Sequence, residues 1–490
     1  MTAPEQSAQT KPAATHWRIE QATRATVIID ADDYFNAARE VMLDARDRIM
    51  LVGWDFDARI KLGDGSTDDG PRTVGEFIYW LVERTPTLHV YLLRWDLGAL
   101  KTFTRGSTFF TVLKWMRHPR IFTKLDGAHP SLASHHQKIV VIDDSFAFCG
   151  GIDMTGARWD TRAHVDGDPG RVLPNGKPYD PWHDATTALQ GPVASALGEL
   201  CRTRWQRAGG HEIEPVANAE PIWPNRTPVQ FEDVAVAIAR SAPEMPDWES
   251  VHEIEALYVD QIARAKKWIY AESQYFASRK IAEAIAQRLG ETDGPEIVVI
   301  NPLTAQGWLE PIAMDTARAH LFGAIEKHDK YGRFRMYHPH TIRGQPIYVH
   351  AKILIIDDTI LRIGSSNLNN RSMRLDTECD VVIDAGYGNN ASRVDEIARI
   401  RTSLLAEHLG ESEEAVEQSL GSTQSLISTI ETLRPKSNKL RAYALPEVND
   451  VAAWLAENEI LDPEGPDEIF EAVSKRGLFR RRWFGRKETG

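Results

Sequence analysis

An α/β chain built from two copied halves is what the sequence predicts, and three observations predict it. Apolar, strand-like runs alternate with segments of helical periodicity. A segment that begins at His136 returns at His350 with its spacing intact. Between the halves lies a cluster of prolines. The 490 residues leave room for about two to four domains, and 42% hydrophobic residues is ordinary for a globular protein.

The elements follow in order. Residues 1–20, rich in Ala, Thr, Gln and Pro, read as a disordered leader without the basic and apolar regions of a secretory signal. TVIID, ending at Asp30, reads as a short strand, and Asp33 to Arg46 as a helix with Asp32 available to cap it. IMLVGWDF from Ile49 is β-rich, TVGEFIYWLVER is helical, and LHVYLLRW from Leu88 is a buried strand. Pro215, Pro221, Pro224, Pro228, Pro243 and Pro246 then mark a boundary. The second half repeats the order, with a helix and strand in IEALYVDQIARAKKWIYAESQYF and another strand in EIVVINP from Glu296. RVDEIARIRTSLLAEHLG reads as a helix, followed by a polar stretch to Lys436. The expected organisation is a leader at 1–20, an N-terminal half at 21–210, a Pro-rich linker at 211–247, a C-terminal half at 248–412, and a helical and basic extension at 413–490.

The repeated segments read HQKIVVIDDSFAFCGGID from His136 and HAKILIIDDTILRIGSSN from His350, identical at seven of eighteen positions without a gap. In a strand, residues i and i+2 share a face, so His136 would stand beside Lys138 and His350 beside Lys352. The apolar residues that follow would anchor each polar pair. Downstream glycines, Gly150-Gly151 and Gly364, would let backbone approach a ligand, and Ser365, Ser366 and Asn367 offer uncharged hydrogen-bonding groups. H-x-K-x(4)-D should arise by chance at most about 0.3 times in such a chain, so two copies argue for a shared site.

These motifs resemble those of the phospholipase D superfamily, whose signature is H-x-K-x(4)-D with a G-S-x-N-like turn, present twice. IYAESQYF, GGIDMTGARWD, PWHDATTALQGP, RSMRLDTE and LLAEHLG extend the likeness from about Thr26 to about Gly410, nearest to the eukaryotic-type branch. The resemblance implies α/β/α sandwich halves related by a pseudo-twofold axis, with both motifs at one interfacial site. It implies His136 as the nucleophile that forms a phosphohistidine and His350 as the general acid. One ring must begin neutral and the other protonated, so the surroundings should split the pair. Lys138 and Lys352 would grip the phosphate, and no metal or other cofactor is expected. Asp184 and Glu378 match positions that orient the imidazoles. Asp143 and Asp357 belong to the motif but lie seven residues from the histidines, which suits a structural role. Gly151 and Asp153 stand where the second copy has Ser365 and Asn367, and a carboxylate at 153 would face a lysine or backbone donor in preference to phosphate.

Charge and composition set the partners. With 57 Lys+Arg against 70 Asp+Glu the chain carries a formal −13, which argues against broad nucleic-acid binding. Three widely spaced cysteines support neither a disulfide framework nor a thiolate metal site, and a reducing, cytoplasmic setting fits. The segment KRGLFRRRWFGRK has seven basic residues in thirteen, and its apolar side chains would let it touch an anionic membrane face. The expected substrate is a glycerophospholipid, whose headgroup is hydrolysed to leave phosphatidic acid or exchanged for another alcohol. Two other readings are a phosphatidyltransferase resembling cardiolipin synthase and a membrane-tethering protein that has lost catalysis.

Overall fold

IVVI at 139–142 and ILII at 353–356 have no polar alternate positions, so each strand needs cover on both faces. Both are buried throughout in the computed structural model, which describes residues 14–64, 68–95, 111, 113–130, 133–305 and 310–445. The strands of the first half are β1 (Arg18–Ile29), β2 (Arg48–Gly53), β3 (His89–Trp95), β4 (Ile121–Asp126), β5 (Ile139–Ile142), β6 (Phe146–Gly150), β7 (Trp182–His183) and β8 (Ala185–Gln190). Those of the second are β9 (Phe231–Ala242), β10 (Val251–His252), β11 (Trp268–Glu272), β12 (Glu296–Ile300), β13 (Phe334–Pro339), β14 (Tyr348–Val349), β15 (Ile353–Ile356), β16 (Ile360–Gly364), β17 (Glu378–Asp384) and β18 (Leu440–Ala442).

One sheet runs through both halves in the order β18-β13-β12-β11-β15-β16-β17-β9-β1-β8-β6-β5-β2-β3-β4. Outward from its centre the order is palindromic, with β17 answering β8, β16 answering β6, β15 answering β5, and β11 to β13 answering β2 to β4. The central pair, β9 and β1, is antiparallel from Arg18↔Ile238 to Ala25↔Phe231, as a twofold relation between them requires. Helices cover both faces, giving the α/β/α layering. Ala31–Asp44 and Val74–Arg84 close an outer core on the first half, and Glu253–Arg264 and Arg279–Leu289 do so on the second. Pro192–Arg207 and Val394–Leu409 pack into a core that both halves share, built from Val27, Leu197, Val236 and Leu404 among others.

Three segments differ from expectation. The first strand begins at Arg18, inside the expected leader, and is twelve residues long. The expected linker at 211–247 contains β9, a strand at the centre of the sheet, so only residues before Phe231 connect the halves. VAVAIA within β9 is small and apolar without clear periodicity, and the prolines on either side of it dominate the local signal. The stretch to Lys436 is two helices, Glu413–Thr423 and Leu426–Ser437, held by buried Val416, Leu426, Ile430 and Leu433. The basic segment from Lys475 lies outside the described residues. Among the described residues no helix is long and apolar enough to cross a membrane.

Candidate active site

The two motifs meet at one cleft of about 780 Å³, lined from both halves by His136, Asp153, Arg158, Trp182, His350 and Asn367. His136 to Lys138 precede β5, and His350 to Lys352 lie between β14 and β15, so neither pair sits within a strand as expected. Each histidine is held by a carboxylate of the other half. His136 Nδ1 lies 2.9 Å from Glu378 Oε2, and His350 Nδ1 lies 2.6 Å from Asp184 Oδ2. Glu378 starts β17 and Asp184 ends the connection from β7 to β8, positions related by the palindrome. The Ser365 and Ser372 hydroxyls donate to Glu378 at 2.5 and 2.7 Å, and the Ala185 N–H donates to Asp184 at 2.9 Å.

Lys138 and Lys352 are buried just beneath the cleft wall. Each donates to the carbonyl of its own motif histidine, and Lys138 Nζ lies 3.4 Å from Asp153 Oδ2. Asp153 also accepts the Trp54 N–H at 3.0 Å. Asn367 lines the cleft, and its side-chain oxygen is buried with no hydrogen-bond partner. Three residues expected to contact substrate do other work. Ser365 steadies Glu378, and Ser366 donates to Asp380, both fully buried behind the cleft. At Gly151 a Cβ would stand 2.2 Å from Asp184 Oδ1, so the missing side chain makes room for that carboxylate, not for a ligand.

Asp143 and Asp357 lie at the far ends of β5 and β15. Asp143 accepts the backbone N–H groups of Arg46, Asp47 and Arg48, and Asp357 those of Lys266, Lys267 and Trp268. Each carboxylate thereby clamps the start of the neighbouring antiparallel strand, β2 or β11, in its own half.

Burial sets the proton balance. It lowers both His136 and His350 well below the usual imidazole value, with Lys138 and Lys352 pushing His136 the same way and Lys352 and Arg158 acting on His350. Burial also raises Glu378 to about 8 and raises Asp184, and lowers Lys352 to about 7. The substrate-free surroundings therefore do not split the histidines as expected, because both are pushed toward the neutral ring.

A second buried cluster lies directly behind Asp184. His183 Nε2 is 2.7 Å from Glu272, and His183 Nδ1 is 2.9 Å from Glu407 and 3.3 Å from Asp30. His164 bridges Asp160 at 3.0 Å and Glu407 at 3.2 Å, and His408 meets Glu272 at 3.0 Å. Asp30 Oδ1 accepts the Asp184 N–H at 3.0 Å, and the His183 carbonyl accepts the His350 N–H at 2.7 Å, so the cluster holds the backbone of one catalytic pair. Asp30, His164, His183 and Glu407 each turn one donor atom to a common point and could hold a divalent cation, a set the sequence reading did not find. No motif spacing links the four. Only the adjacency of His183 to Asp184 and of Glu407 to His408 hinted at them.

The family model described as phospholipase D matches residues 41–284, and that described as cardiolipin synthase, PLD-like domain, matches residues 258–398. The chain belongs to the phospholipase D superfamily. Among relatives in the superfamily, phospholipase D alpha 1 of Arabidopsis thaliana is 24% identical over 77% of this chain and 63% of its own length. Phospholipase D A of Dictyostelium discoideum is 24% identical over 78% of this chain and 35% of its own. The chain thus spans less than two thirds of either relative. The crystal structure of a phosphatidylserine synthase from Haemophilus influenzae superposes with a TM-score of 0.55 at 13% identity, covering 84% of this chain and 95% of the synthase, which shows a shared fold.

Proposed function

We propose that the chain is a phosphodiesterase of phospholipase D type, which hydrolyses or exchanges the headgroup of a glycerophospholipid. The observation that carries this reading is the crossed pairing of His136 with Glu378 and His350 with Asp184 at one cleft. Nδ1 of each ring is engaged behind the cleft, which leaves Nε2 for chemistry. His136 Nε2 attacks phosphorus as the bond to the headgroup oxygen breaks, and His350 Nε2–H gives its proton to that oxygen. Water then attacks the phosphohistidine and passes a proton to His350, releasing phosphatidic acid and restoring both rings. An alcohol in place of water yields an exchanged lipid. The arriving phosphodiester anion supplies what the empty cleft lacks, because negative charge between the motifs favours the protonated forms of His350 and Lys352.

A cardiolipin synthase-like transfer is a second reading, favoured by the family match of the second half. Lipid product analysis of the purified protein on mixed phospholipids, with and without a primary alcohol, separates the two. Phosphatidic acid alone, giving way to phosphatidyl alcohol when alcohol is added, is the expected result, and the His136→Ala variant should yield neither. Cardiolipin as the main product would replace the first reading with the second.

A further inference from the structure

Two short hairpins stand side by side next to the cleft, one from each half. In the first, Val172 bridges Pro178, the Leu173 N–H donates to the Lys177 carbonyl at 2.8 Å, and Gly176 turns the tip at a φ of 80°. In the second, His340 bridges Pro346, the Thr341 N–H donates to the Gln345 carbonyl at 2.8 Å, and Ile342 and Arg343 form the tip. Asp166 ties the second hairpin to the segment that leads into the first, accepting the Thr341 hydroxyl and, at 3.1 Å, the Arg343 N–H. Gln345 adds a bond to Asp180 at 2.8 Å. Both hairpins run into the ribbon formed by β7 and β14. That ribbon is parallel, so both enter at the same end, and the other end delivers Asp184 and His350.

The outer surface of this rim carries exposed apolar side chains and two exposed cations. Ile342 is 84% exposed, Val165 53% and Val172 42%, and Leu173 and Pro174, next to Val172, line the cleft itself. Lys177 and Arg343 are exposed and form no ion pair among the described residues. The acids beside them are used locally: Asp166 as above, Asp168 on the Gly170 N–H, and Asp180 on Gln345. Aliphatic tips with unpaired cations, continuous with the wall of a catalytic cleft, match a bilayer with anionic headgroups, where apolar side chains enter the interface and cations stay at headgroup level.

We propose that the hairpins 171–179 and 340–346, with Val165, are the surface by which the enzyme docks on an anionic lipid bilayer, holding the cleft mouth against its substrate. This rests on the phospholipid reading of the cleft, so the test separates the two. The full chain carrying Val165→Ser, Val172→Ser and Ile342→Ser together is compared with the parent chain in two assays. One is co-sedimentation with vesicles of equimolar phosphatidylcholine and phosphatidylglycerol, and the other is turnover of a short-chain phosphatidylcholine kept monomeric. Vesicle affinity is expected to fall at least about tenfold, with turnover of the monomeric lipid unchanged. Unchanged vesicle affinity overturns the proposal, including the case in which only deletion of Lys475–Gly490 releases the protein. Equal loss in both assays also overturns it. If the parent chain binds vesicles through the rim but cleaves neither lipid, the docking surface stands and the phospholipase reading falls. Because the three native cysteines are buried, an environment-sensitive dye on Ile342→Cys gives a readout independent of turnover. A blue shift on adding vesicles is expected, and unchanged emission counts against docking.

Discussion

Glu378 is placed for chemistry at the expense of stability. Its carboxyl, ordinarily near 4.5, is raised to about 8 by burial, so between those values the folded chain retains a proton that the unfolded chain releases. The sign follows: this residue's contribution to stability is full below about pH 4.5 and is lost as pH rises through about 8. The Glu378→Gln variant removes that titration while keeping the shape. Calorimetric melts of the substrate-free protein from pH 5 to 8 should show its stability falling less steeply than the parent's, by up to about 1.4 kcal/mol per pH unit, with turnover lost. An identical slope in both proteins would place the proton elsewhere. Lys352, lowered to about 7, is charged below that value and neutral above it, so kcat/KM should decline as pH rises through about 7. Lys352→Arg keeps its charge to far higher pH. Its rate should drop about tenfold from altered geometry, but the decline near pH 7 should disappear from the profile, and its persistence would assign that limb to another group.

At the level of elements, the motif aspartates act as strand clamps, and the two copies differ in exposure. Both Asp143 and Asp357 have positive φ, 48° and 54°, which asparagine also tolerates. Asparagine offers one acceptor oxygen where three N–H groups converge. Asp143→Asn should therefore cost about 1–3 kcal/mol in urea unfolding, and Asp357→Asn less, because two of its three donors are near solvent. Equal losses would argue against the clamp as the source. The same elements show what the sequence made legible. IVVI, ILII and EIVVI were readable as strands because continuous aliphatic runs demand cover, and the helix at 394–409 because its apolar positions keep helical spacing. His136, Lys138, His350 and Lys352 were legible because the motif is local and repeated. The partners assigned by resemblance, Asp184 and Glu378, do lie on the rings, but only the folded chain shows that each crosses to the other half. Ser365 and Ser366 were misread because composition cannot tell whether a hydroxyl faces a cleft or the carboxylate behind it. The cluster of Asp30, His164, His183 and Glu407 was illegible for a related reason: its members come from four distant segments, and only tertiary packing brings them together.

Across the whole molecule, the formal charge of −13 coexists with a site in which the cations are inside. Lys138 and Lys352 are buried at the site the two halves share, while many of the acids lie outward. The two halves share a core as well as a sheet, and neither holds a complete catalytic pair, since His136 depends on Glu378 and His350 on Asp184. This crossing makes turnover a reporter of assembly. If the backbone is cut in the exposed connection near Ala217, fragments 1–217 and 218–490 should each be inert when made alone, every imidazole lacking its carboxylate and β1 and β9 left as open sheet edges. Mixed, they should regain activity by fragment complementation, with a rate that rises with the concentration of the scarcer piece and saturates once the seam between β1 and β9 has formed. Turnover by either fragment alone would contradict the crossed arrangement.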